Sequence, residues 1–60
     1  MNINISVIFD LGSGMMHHVG GTYDGIDDAI SYAGKAVELS PRYKRAIVKA
    51  EGRIVEVIEK

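Results

Sequence analysis

The stretch that most constrains the fold runs from Asp24 to Leu39, where an unbroken helical period carries both a start and a stop signal. At about 100° per residue, Ile26, Ala29, Ile30, Ala33, Ala36 and Val37 share one arc, and Asp27, Ser31, Gly34, Lys35 and Glu38 lie opposite it. Such a helix has one dry side and must lay it on something. Asp24 stands where an N-cap belongs, with Asp27 three residues on as an acidic variant of the capping box. Ser40-Pro41 ends the helix, because proline lacks the N–H and clashes with the preceding turn. Tyr32 and Leu39 widen the apolar arc sideways.

The flanking segments have the other period. Residues 2–10 alternate, with Ile3, Ile5, Val7 and Phe9 on one side and Asn2, Asn4 and Ser6 on the other, as in a half-buried strand. Ile8 adds an apolar group to the polar side. Leu11-Gly12-Ser13-Gly14 supplies a turn, so a second strand over residues 15–19 folds back on the first. Its register depends on loop length. A two- or four-residue loop sets Met16 and His18 beside Phe9 and Val7, the register adopted here, whereas a three-residue loop sets Met15, His17 and Val19 there. Past Pro41, residues 43–50 and 53–58 are rich in β-formers, and Glu51-Gly52 between them is a two-residue hairpin loop. Counting outward pairs Ala50 with Arg53, Val48 with Val55 and Ala46 with Val57 on the side that meets the helix. Lys49 then pairs with Ile54, Ile47 with Glu56 and Arg45 with Ile58 on the other side. The expected architecture is a single domain over residues 1–60 of the α+β class: ββαββ, a single-layer, four-stranded, mostly antiparallel sheet with one helix packed on one face.

Size bounds what this domain can do. A chain of 60 residues buries only about 60% of the surface its unfolded form exposes, so the core is thin. It has no cysteine, hence no disulfide and no thiolate metal site, which leaves idealised packing or self-association as supplements. The absence of cysteine fits a reducing compartment, and the expected location is cytoplasmic. With 7 Lys+Arg against 8 Asp+Glu, the formal charge of −1 creates no field to draw in nucleic acid and no acidic excess to imitate it. No apolar run approaches about 18 residues and no basic stretch precedes an apolar block, so neither a membrane span nor a signal peptide is expected.

Three groups of residues invite chemistry. Asp10-Leu11-Gly12-Ser13-Gly14 resembles the opening of the phosphate loop in the actin and sugar-kinase ATPases. No helix N-terminus follows these glycines to hold a phosphate and no Walker lysine is present, so the residues read as a hairpin turn. His17-His18 could suggest a metal ion. Adjacent strand residues point to opposite faces, which makes them one half-buried and one exposed histidine, and no metal or other cofactor is expected. Asp27, Asp28 and Glu38 belong to the wet side of the helix, the first two complementing its dipole. A one-helix, four-strand layer encloses no catalytic cavity, so the chain is read as a non-enzyme.

The unusual feature is a second apolar set. Ile8, Ile47, Ile54 and Ile58 fall on the sheet face away from the helix, rimmed by Arg45, Lys49 and Glu56. A free-standing sheet would show mostly polar residues there, so these seven residues form the expected partner-binding surface. The expected partner is a protein, with a homodimer through this face as the first case. The alternative is a nucleic-acid binder using the basic hairpin over residues 42–53, through Arg42, Tyr43, Arg45, Lys49 and Arg53.

The hairpin followed by Thr22-Tyr23-Asp24-Gly25-Ile26-Asp27-Asp28-Ala29-Ile30 resembles two groups of small proteins. One is the bacteriophage-encoded host-takeover inhibitors, in which a hairpin precedes a helix with an acidic opening. The other is the HicB-type antitoxins, whose strands lead into a similar helix start and which bind a small ribonuclease toxin. The resemblance implies an inhibitor or regulator of a larger host protein. The chain departs from the antitoxins, which have three strands before the helix and usually a DNA-binding tail. It also lacks the strong acidity by which the similarly small uracil-DNA glycosylase inhibitors of phages imitate DNA.

Overall fold

Alternation in two segments, broken only by Ile8 and Ile47, builds the centre of the sheet. β1 (Ile5–Gly12) and β3 (Arg45–Ala50) run side by side and antiparallel, flanked by β2 (Met15–Gly20) and β4 (Arg53–Glu59), so the strand order is β2-β1-β3-β4. With α1 (Ile26–Leu39) laid across one face, the chain has an α+β fold of ββαββ order built on an open antiparallel sheet. The structure, a computed structural model, describes residues 4–20 and 23–60. The expected strand residues Asn2 and Ile3, and Gly21-Thr22 of the lead into the helix, lie outside them.

Ile5, Val7 and Phe9 of β1 pair with Ala50, Val48 and Ala46 of β3, and all six are buried under the helix. α1 meets them with Ala29, Ala33 and Val37, one ridge of residues four apart. The small side chains at 29, 33 and 46 let helix and sheet approach closely, which compensates for a core with few large residues. Phe9, 1% exposed, is the largest fully buried side chain. Tyr43 stacks on it at 4.3 Å with an interplanar angle of 7°, and Tyr32 meets it edge-on at 6.1 Å. Tyr32 and Leu39, which widened the apolar arc, remain exposed.

The helix starts later than its sequence signals suggest. Gly25 occupies the N-cap position with a fully extended backbone and no side-chain hydrogen bond, so Asp24 stands one place too early to cap. The first-turn N–H groups are served instead by the charges of Asp27 and Asp28. At the other end Ser40 N–H donates to Ala36 O at 3.0 Å, and Pro41 follows as expected.

Both outer pairings slip by one residue at a bulge. In the first hairpin Ser13 and Gly14 form the two-residue loop, both with left-handed φ, and Met15 pairs with Gly12. Leu11 is then an extra residue, and Asp10 pairs with Met16. His17 and Val19 therefore stand beside Phe9 and Val7, correcting the expected register. Asp10 makes the bulge possible, because its Oδ1 accepts the Gly12 N–H at 2.8 Å. In the second hairpin the loop Glu51-Gly52 and the pairs Ala50 with Arg53 and Lys49 with Ile54 are as counted. Val55 is then extra, so Val48 faces Glu56, Ile47 faces Val57 and Ala46 faces Ile58.

Candidate functional site

The sheet face turned away from α1 is composed by register. Three rows cross it: Met16, Asp10, Arg45 and Glu59; then His18, Ile8, Ile47 and Val57; then Gly20, Ser6, Lys49 and Ile54. The middle row is apolar over three strands. Ile8 is only 8% exposed although no helix covers it, because it is flanked by Ile47 and His18 in the centre of the sheet. Ile47 is half-buried, and towards the β4 edge Ile54 and Val57 are 59% and 43% exposed. The first row is ionic. Arg45 Nε lies 3.4 Å from Asp10 Oδ2 and its Nη1 3.7 Å from Glu59 Oε1, so one guanidinium bridges the two strands beside it. These pairs are open to solvent, and each is worth less than about 1 kcal/mol.

Of the residues expected on this face, Ile8, Ile47, Ile54, Arg45 and Lys49 are there together. Ile58 and Glu56 are not. The Val55 bulge carries both to the helix side, where Ile58 is half-buried against the core and Glu56 stays exposed at the outer strand. Val57 takes the place opposite Ile47 expected of Glu56, and Glu59 the place opposite Arg45 expected of Ile58. No sequence signal marks a bulge inside Arg53–Glu59, so simple alternation could not find this exchange. Asp10 was within reach, since it shares the parity of Ile8.

His17 and His18 point to opposite faces, and both are exposed. The half-buried histidine expected of the pair is missing for a structural reason: α1 covers β1, β3 and β4 but leaves β2 outside. Asp10 to Gly14 form a hairpin turn in which the Gly12 N–H is already bonded. Among the described residues every buried side chain is hydrophobic, and no three His, Cys, Asp or Glu side chains gather to hold a metal ion. No described helix is long and apolar enough to cross a membrane.

The expected basic surface is divided. Arg45 and Lys49 belong to the open face, while Arg53 pairs with Ala50 at the opposite end of the sheet from Arg45. Arg42, Tyr43 and Lys44 instead meet the first hairpin, where they border a cleft of about 600 Å³ with Leu11, Met15 and His17. The Lys44 N–H donates to Asp10 O at 2.7 Å, which fixes the α1–β3 connection against β1. Comparison with protein-family models, curated proteins and solved structures finds no match.

Proposed function

We propose that the chain is a small non-catalytic protein-binding module whose interaction surface is the open sheet face, and that a second copy of the chain occupies it. The observation that supports this reading is the apolar row Ile8, Ile47 and Val57, extended by Ile54 and left uncovered by any described element of the chain.

The charges on the face argue for self-pairing. The midline of the order β2-β1-β3-β4 runs between β1 and β3. A two-fold axis along that midline lays β1 of each copy over β3 of the other, so Asp10 faces Arg45, Ile8 faces Ile47 and His18 faces Val57. Opposite charges meet and apolar groups meet. Four strands about 4.8 Å apart and about 20 Å long give a footprint on the order of 400 Å² in projection. Side-chain relief raises this to the lower end of specific interfaces, which corresponds to a micromolar dimer. The dimer would be the working form of an inhibitor or regulator, acting by occupancy.

Sedimentation across a concentration series tests it. The wild type is expected to pass from monomer to dimer in the micromolar range, and Val57→Lys to remain monomeric with an unchanged far-UV spectrum. A second variant, Arg45→Asp, sets an acidic group opposite Asp10 of the other copy and beside Glu59 of its own, and is expected to weaken the dimer. A wild type that stays monomeric at several hundred micromolar overturns self-pairing and leaves the face to a different protein.

A further inference from the structure

We infer that the cleft between the first hairpin and the α1–β3 connection is a binding site for a nucleotide unit, a planar base carrying a phosphate. It lies at one end of the sheet, and Tyr43 and His17 are tied to Phe9 on the helix side, away from the face proposed for pairing. The two sites rest on different observations.

The ring of Tyr43 is the first of these. One of its faces lies flat on Phe9, itself buried and fixed in the core, and Tyr43 is among the residues that border the cleft. Its backbone neighbour Lys44 is bonded on both sides, its N–H to Asp10 O and its carbonyl to the Lys60 N–H at 3.3 Å. An aromatic ring immobilised from behind gives a base a stacking platform at little cost in ordering.

Charge is the second. Arg42, Lys44 and His17 line the cleft, and no carboxylate does. Among the described residues the ion pairs belong to Arg45, so Arg42 and Lys44 are left without an acidic partner in a chain whose overall charge is −1. The nearby helix C-terminus would repel an anion, but Lys60 Nζ donates to Ser40 O at 2.8 Å and offsets that end of the dipole. The stem of Lys44 runs past Gly12, where an added Cβ would come within 3.7 Å of its Cγ. That is ordinary van der Waals spacing, so the lysine stem packs beside the hairpin. The volume of about 600 Å³ falls within the range that small ligands fill. Leu11 and Met15 supply apolar wall for the ring, and the cations supply partners for the phosphate.

A nucleotide unit could come from a free nucleotide or from a single strand, and the experiment separates these sources. Isotope-labelled protein is titrated with UMP, with an eight-residue oligouridine and with inorganic phosphate, and followed by NMR. The expected result is saturable shifts at Tyr43, Arg42, Lys44 and His17 with UMP or the oligomer, and far weaker ones with phosphate. An oligomer that binds at least about tenfold tighter, with affinity falling steeply as salt rises, assigns the site to single strands. Equal affinity for both assigns it to the free nucleotide. Tyr43→Phe should bind as the wild type, and Tyr43→Leu about tenfold more weakly. Arg42→Gln with Lys44→Gln, both exposed, should weaken binding without affecting the fold, and it carries the test if Tyr43→Leu does not fold. Absence of saturable shifts with both UMP and the oligomer overturns the inference. So does phosphate binding as tightly as UMP, or full affinity in the folded Tyr43→Leu or the Arg42, Lys44 double variant.

Discussion

At the scale of single residues, Asp10 does more than its position near a turn suggests. Its Oδ1 holds the Gly12 N–H that lets Leu11 bulge, and its Oδ2 meets Arg45. These roles differ in weight, because a hydrogen bond in a half-buried turn contributes about 1 kcal/mol and a solvent-open ion pair less. Asp10→Ala is therefore expected to lower stability by about 1–2 kcal/mol in urea unfolding. Asp10→Asn, which keeps an acceptor for Gly12, should lose less than about half of that. Tyr23 offers a second test. Burial, then the neighbouring Tyr32 and Asp28, hold its phenol above its ordinary value, which is about 10. The folded state thus favours the neutral form, so the stability Tyr23 contributes is complete below the ordinary phenol value and is lost as pH rises through the raised one. The wild type should lose stability across that alkaline window more steeply than Tyr23→Phe, measured by urea unfolding at stepped pH, with tyrosinate absorbance locating the titration.

At the scale of elements, periodicity was enough for the helix, the four strands and the two turns, because each is dictated by residues close in sequence. Registers were another matter. A bulge is stabilised by one side-chain bond or by a small gain in packing, and neither leaves a period behind. The Leu11 bulge has at least a local cause in Asp10. For Val55 the structure offers no such brace, and the edge position of β4 is the physical context: an extra residue twists an outer strand away from regular pairing with other chains. Deleting Val55 leaves Ile54 facing Lys49 and Glu56 facing Val48 without a kink. The shortened chain is expected to fold with an unchanged helix signal in circular dichroism. It should also form larger aggregates on concentration, seen by light scattering, because its edge has become regular.

At the scale of the whole molecule, the sequence placed the central parts of the open face and misplaced its outer strand. Ile8 and Ile47 are fixed by the alternation of β1 and β3, which pair without irregularity from Ile5 with Ala50 to Asp10 with Arg45. The cleft was not legible, because its walls come from Leu11, Met15 and His17 and from residues 41–44, and only the docking of the α1–β3 connection against the first hairpin makes them neighbours. That same β1–β3 seam has a consequence for the order of events in folding. Both hairpins and the helix close over short stretches of chain, whereas the seam joins residues at opposite ends of the sequence and must meet the entropy of closing nearly the whole chain at once. It is the step expected to limit the rate. In stopped-flow experiments Val48→Ala, in the seam, should slow refolding by most of its stability loss, while Ile58→Ala, in the outer strand, should chiefly speed unfolding. Equal slowing of refolding by both substitutions would mean that β4 is already in place when the two halves meet.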